Sequence, residues 1–247
     1  MNRTISVQTS DLTKRFGKFV AVDKVSIEVF KGEIFGFLGA NGAGKTTMIR
    51  MLCGLMRPSD GEGTVAGFDI YSQTEQIKRN IGYMSQKFSL YEDLTIEENI
   101  EFYGGIYGLS NSDILKQKEK LLSQLALKEY RIKITRDLPL GFRQRLALGC
   151  SLLHDPPVVF LDEPTSGVDP KARREFWDII YQTAEIGKTI FVTTHFMDEA
   201  EYCHRVTIME QGKIIALDTP RNLRKEHKKA NMEDVFVSIL KEPERQK

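Results

Sequence analysis

The sequence predicts an α/β fold: a largely parallel sheet with helices between its strands, and a helical insertion in the middle of the chain. Three observations carry this. Apolar runs of strand length alternate with helix-periodic stretches in the second half of the chain, the pattern of a largely parallel sheet. A glycine-rich loop joins a compact apolar run directly to a helix-periodic stretch. Residues 95–127 carry only helical signals.

The elements follow in order. Residues 5–9 read as one short strand, and 19–30 as two more around polar breaks. Lys31-Gly32 turns the chain, and 34–38 is a compact apolar strand. From Thr46 onward Met48, Ile49, Met51, Leu52 and Leu55 cluster at helix spacing. Short strands are expected at 64–66 and 81–84. In the helical stretch Leu115, Leu121, Leu122, Leu125 and Leu127 recur among lysines and glutamates. After Gly141 come a helix to Leu153, a strand at 158–161, a helix at 171–184 and a strand at 189–193. Two small strands (206–209 and 213–216) and two short helices end the fold. The expected organisation is one domain over 1–240, with the helical subdomain at about 87–153, then a charged tail at 241–247.

Composition excludes several classes. The 247 residues are 41% hydrophobic, ordinary for a globular domain with a sizeable core. A formal net charge of +1 argues against a nucleic-acid-coating surface. Cys53, Cys150 and Cys203 are odd in number and widely spaced, so reduced thiols are expected rather than a disulfide framework or metal site. The first residues are polar and lack the apolar core of a signal peptide. No run approaches the ~18 apolar residues of a spanning helix, so no direct membrane insertion is expected.

Gly39-Ala40-Asn41-Gly42-Ala43-Gly44-Lys45-Thr46 fits G-x-x-x-x-G-K-[ST] in full, with a strand before it and a helix after it. Glycines let backbone N–H groups curl around phosphates, and the helix N-terminus adds partial positive charge. Lys45 would reach the β- and γ-phosphates, and the Thr46 hydroxyl would ligate Mg²⁺. The apolar run 158–161 delivers Asp162-Glu163 at its C-terminal end, where open α/β sheets place ligand chemistry. Asp162 suits the Mg²⁺ shell, and Glu163 is the candidate to polarise an attacking water.

With these motifs in this order, the chain closely resembles the nucleotide-binding subunit of ATP-binding-cassette (ABC) transporters from about Leu12 to Leu240. The resemblance implies a P-loop NTPase core, a mixed sheet flanked by helices, with an N-terminal antiparallel β subdomain and an α-helical insertion subdomain, and with ATP and Mg²⁺ as ligands. Phe16, in Lys-Arg-Phe-Gly, matches the aromatic that stacks on adenine. Gln86 matches the glutamine of the Mg²⁺ and water network, and His195 the histidine that senses the γ-phosphate. Ser166-Gly167-Val168-Asp169 resembles the loop that crosses a dimer interface. The implied nucleotide contacts are Phe16, Gly39, Asn41, Gly42, Ala43, Gly44, Lys45, Thr46, Thr47, Gly141 and Asp169. Glu163, His195, Gln86 and Lys45 carry the chemistry, and Thr46, Gln86 and Asp162 the metal.

One stretch departs from the family pattern. Leu138-Pro139-Leu140-Gly141-Phe142 stands where Leu-Ser-Gly-Gly-Gln is usual. Pro139 supplies neither a hydroxyl nor an N–H, so the Gly141 amide and the following helix N-terminus are what remain for an anion. Such a variant marks either a silent site or a subfamily that works through backbone donors. The resemblance is closest to ATPases of ABC-2-type exporters, in a multidrug branch carrying the same Pro-Leu-Gly variant and an ending like Met232-Glu233-Asp234-Val235-Phe236. It implies a second ATPase subunit, an integral membrane permease, and a peripheral location at the cytoplasmic face of the cell membrane. The surface at 87–94, with Phe102, Tyr103 and Tyr107, is expected to receive a permease helix. The competing readings are a soluble ABC ATPase of DNA repair, translation or cofactor assembly, and a binding-only cassette. Intact Lys45, Asp162, Glu163 and His195 oppose the latter.

Overall fold

The structure, a computed structural model, describes residues 4–86 and 90–241. Its first sheet is antiparallel. Strands β1 (Ile5–Phe16) and β2 (Phe19–Phe30) form a long hairpin, and β4 (Asp60–Val65) and β5 (Phe68–Asp69) extend it in the order β2-β1-β4-β5. Residues 19–30 are thus one strand rather than two, and the first strand runs on past residue 9 to Phe16. The polar breaks are absorbed as irregularities: Asp11 (φ 48°) and Lys24 (φ 50°) are left-handed, and the register shifts beside Leu12. The Thr13 hydroxyl accepts from the Lys24 N–H at 3.1 Å, replacing a ladder bond there.

The second sheet, in the order β10-β9-β3-β8-β7-β6, positions the site. It comprises β3 (Ile34–Leu38), β6 (Ile81–Met84), β7 (Val158–Asp162), β8 (Thr189–Thr194), β9 (Arg205–Glu210) and β10 (Lys213–Asp218). All neighbours are parallel except β9 and β10. Every residue of β3, β7 and β8 is buried, as expected for parallel strands covered on both faces.

Period-two alternation splits these strands between two cores. Phe35, Phe37, Val158, Phe160 and Phe191 join Val22, Val25, Ile27 and the apolar face of α1 (Lys45–Leu52). Ile34, Leu38, Val159, Leu161, Ile190 and Val192 face the other way. There they meet Leu146 and Leu148 of α5 (Leu140–Leu152) and Phe176, Trp177 and Ile180 of α6 (Pro170–Glu185).

Between β6 and β7 the chain is helical, with α3 (Ile96–Ile106) and α4 (Asn111–Gln124) preceding α5. A reciprocal Thr95/Glu98 capping box starts α3, and Ser110 caps α4 through the Asp113 N–H. Leu121, Leu122, Leu125 and Leu127 are buried as their spacing predicts, but Leu115 is exposed and Ile114 takes the inward position. Gly149 lets α5 approach α4: a Cβ there would stand 2.4 Å from Leu125 Cδ1.

Several short elements escape a periodicity reading, since each is under two turns. They include α2 (Thr74–Arg79) and α7 (Met197–Ala200). The strand expected at 64–66 begins at Asp60 and ends before Ala66, which turns at φ 51°. Helices α8 (Pro220–Glu226) and α9 (Met232–Lys241) close the fold, so Lys241 belongs to a helix and the rest of the expected tail lies outside the described residues. Among the described residues no helix is long and apolar enough to cross a membrane. The three cysteines are buried free thiols.

Phe191 is the centre of the first core. It stacks on Phe160 (4.7 Å between centroids) and lies 6.0 Å from Phe37 and 5.6 Å from Phe35. Phe191→Ala is expected to lower stability by about 3–5 kcal/mol, read as a drop in the urea unfolding midpoint.

Candidate active site

The glycine-rich loop is clamped from two sides. A Cβ on Gly39 would stand 2.4 Å from the Met209 carbonyl oxygen, and one on Gly44 (φ 106°) 2.4 Å from that of Ala21. No other residue fits either position. The Gly212 N–H donates to the Ala43 carbonyl at 3.0 Å, so the β9–β10 turn braces the loop from outside. Gly42 (φ 85°) is left-handed with open space around it.

Helix α1 starts at Lys45 with no side-chain cap, and its Met48 N–H bonds the Gly44 carbonyl at 2.9 Å. The preceding amides therefore have no partner inside the helix and face the loop. The Lys45 ammonium donates to the carbonyls of Gly39 (2.7 Å) and Ala40 (3.1 Å) and lies 3.8 Å from Glu163 Oε1. Burial pulls its pKa below the usual lysine range, opposed by the charges of Glu163 and Asp162.

Strand parity delivers the carboxylates. Asp162 follows Phe160 on the face that meets α1, opposite Thr193 of β8. Its Oδ1 accepts from the hydroxyls of Thr193 (2.7 Å) and Thr46 (3.1 Å). Burial holds the Asp162 carboxyl above the usual carboxylate range, with both hydroxyls opposing the shift. Glu163 breaks the alternation. It adopts φ 49°, and Pro164 after it disfavours the right-handed helical alternative. Its N–H donates to the Thr193 hydroxyl at 2.8 Å, so that one hydroxyl serves both acids.

Glu163 is buried and heavily contacted. The Gln86 side-chain amide donates to Oε2 at 3.0 Å, and His195 Nδ1 stands 3.2 Å from the same oxygen without hydrogen-bond alignment. Glu163, Gln86, Lys45, Thr46, Thr47, Asn41, Gly42 and Gly44 line one cleft of about 470 Å³. Phe16 lines it as well, together with Phe19, its partner across the β1–β2 turn. Phe19 was not singled out from the sequence; an exposed aromatic across a hairpin turn from Phe16 is the signal that marks it.

Gly141 and Asp169 do not line this cleft. They lie together in another of about 370 Å³, with Pro139, Phe142 and Tyr130. Asp169 caps α6, accepting from the N–H groups of Lys171 (3.1 Å) and Ala172 (3.0 Å). At the start of α5 the N–H groups of Phe142 and Arg143 both bond the Pro139 carbonyl, so the Gly141 amide precedes the ladder. The Phe142 ring packs on Tyr130 (4.8 Å) and beneath the Arg145 guanidinium (5.1 Å). A Cβ on Gly141 would press to 2.7 Å from that of Ala172.

The residues expected to receive a permease helix differ in exposure. Lys87 and its two successors lie outside the described residues. Phe102 is exposed and pairs with exposed Tyr91 (4.4 Å), whereas Tyr103 and Tyr107 pack against the core, Tyr107 on the His154 ring (3.8 Å).

Known proteins resemble the chain in sequence and in fold. The family model described as ABC transporter matches residues 22–166. The chain is 47% identical over 239 residues to the probable multidrug ABC transporter ATP-binding protein YbhF of Escherichia coli (strain K12), covering 95% of this chain and 41% of that protein. It is 37% identical to the linearmycin resistance ATP-binding protein LnrL of Bacillus subtilis (strain 168), covering 88% of this chain and 70% of that one. A solved ATP-binding subunit of an ABC transporter superposes with a TM-score of 0.84 at 27% identity, covering 95% and 99% of the two chains. The chain belongs to the ABC transporter family, as an ATP-binding cassette. It spans about two fifths of the length of YbhF, 41%.

Removing the shared hydroxyl tests the geometry directly. Thr193→Val keeps shape and β-branching but leaves buried Asp162 one donor short. A loss of about 1–3 kcal/mol is expected in urea unfolding, while Thr193→Ser keeps the bond and most of the stability.

Proposed function

We propose that this chain binds Mg–ATP and hydrolyses it to power a membrane exporter of drugs or other small molecules. The observation that carries the reading is the placement of Glu163. Its carboxylate is buried at the end of β7, contacted by Gln86, His195 and Lys45, and opens onto the cleft lined by the glycine-rich loop.

The Mg²⁺ donor set fits the residues present. Thr46 Oγ1, Asp162 and the Gln86 amide oxygen are hard oxygen donors, and the buried Asp162 carboxyl gains from a cation beside it. When bound, Mg²⁺ would neutralise phosphate charge. The remaining steps belong to the protein. Lys45 leaves the Gly39 and Ala40 carbonyls for the β- and γ-phosphates, and amides of the loop and of α1 take the phosphate oxygens. Phe16 stacks on the adenine, with Phe19 beside it. Glu163 orients a water and accepts its proton as the water oxygen bonds to the γ-phosphorus and the bond to ADP breaks. His195 holds a γ-phosphate oxygen and the Glu163 carboxylate together.

Two cassettes close head-to-tail in this reading. Each offers its Gly141 amide, its α5 N-terminus and its 166–169 loop to the other's nucleotide, through backbone donors rather than the usual serine. Helices α3 to α5 form the arm that moves with closure, and Phe102 and Tyr91 face the permease. Names of the relatives support drug export: multidrug transport for YbhF and linearmycin resistance for LnrL.

With the chain assembled on its permease, Glu163→Gln is expected to cut phosphate release by about 10²–10⁴-fold. The affinity for a fluorescent ATP analogue should stay within a few-fold. Full turnover by Glu163→Gln would sink the role given to Glu163.

A further inference from the structure

Asp162 and Glu163 are accompanied by another buried carboxylate. Glu199, on α7, is 0% exposed and lines no cleft described above. Its Oε2 accepts from the Thr194 hydroxyl at 2.6 Å, and its Oε1 from the Thr165 hydroxyl. Thr194 immediately precedes His195, and Thr165 lies two residues after Glu163. One carboxylate thus joins the loop that carries the acid to the loop that carries the histidine.

The charge is compensated locally. Arg173 of α6 brings its Nε to 3.5 Å from Glu199 Oε1 and Nη1 to 3.6 Å from Asp198. The same guanidinium lies over the Phe196 ring at 4.3 Å, and that ring stands 4.2 Å from the imidazole of His195. The Phe196 N–H donates to the Thr194 hydroxyl at 3.0 Å, so that hydroxyl both donates to Glu199 and accepts from the backbone next to His195. A buried carboxylate persists only with such donors, and losing one partner leaves the others unsatisfied.

We propose that Glu199, braced by Arg173, is a positioning residue that sets His195 against Glu163 by tying Thr194 to Thr165. It touches no nucleotide and acts through the two loops it joins. The inference rests on the hydrolytic reading for its kinetic effect, but the anchoring itself is a statement about the loops alone.

The test combines three measurements on the full chain with its permease. Glu199→Gln is expected to lower turnover roughly 10- to 100-fold while ATP affinity changes less than about 3-fold, the pattern of misplaced rather than missing groups. On a His195→Ala background the same substitution should cost less than about 3-fold more, because the two residues act in one chain of contacts. Should Glu199→Gln fold poorly, Thr194→Val carries the same test: it should reproduce the turnover loss, with Thr194→Ser restoring it. Hydrogen exchange reads the anchoring whether or not the chain turns over ATP. In Glu199→Gln or Thr194→Val, peptides spanning 163–169 and 194–198 should exchange together, about 10-fold faster or more, with β3 unchanged. A wild type without turnover would overturn the hydrolytic reading and leave the exchange result to decide this one. Full additivity with His195→Ala, or loops that loosen separately or not at all, would overturn the positioning role.

Discussion

A threonine hydroxyl at the end of β8 holds two adjacent acids in two different roles. Thr193 donates to Asp162 and accepts from the Glu163 amide, and it can do so because parallel register sets Thr193 against Asp162. That register is fixed by the aromatic face of the sheet. Phe160 and Phe191 are partners one step earlier on the same face, and a slip of one residue would bury the acids in the opposite core. The core and the site are therefore set by a single pairing. Thr46 meets Asp162 for the same reason, since α1 packs on the face both strands present.

The site concentrates conformational and electrostatic cost. Glu163 carries a left-handed backbone and Asp162 a desolvated carboxylate. Glu199 is wholly buried. Each burden has a nearby compensation: the Thr193 and Thr46 hydroxyls for Asp162, the bond from the Glu163 N–H to Thr193 for its backbone, Arg173 for Glu199. Such networks are weak evidence of added stability, because the same groups would be better solvated in water.

How much was legible in the sequence follows from the range of each interaction. β3 over 34–38 and the strand at 81–84 could be read to the residue, because each run is too short for a helix and is bounded by glycine or polar residues. The loop, Asp162 and Glu163 were legible because local spacing alone carries them. The long hairpin was not, since bulges at Asp11 and Lys24 turn apparent breaks into irregularities of continuous strands. Leu115 shows the limit of periodicity: Ile114, its neighbour, fits the same stripe, and only packing against Gly104 decides which turns inward. The Thr194–Glu199–Thr165 link joins residues 34 apart through side chains, so no spacing rule announces it.

The lysine of the loop has a further consequence. Lys45 is nearly wholly buried and engaged with its own loop's carbonyls, so it behaves as an internal ligand of the site. An incoming molecule must outcompete those carbonyls for the ammonium before it can settle. Dense negative charge does this, whereas in the proposed reading a neutral nucleoside, able only to stack on Phe16, would leave the lysine where it was. Discrimination then arises by displacement rather than by shape, and measured affinity is the difference between two ligands competing for one cation.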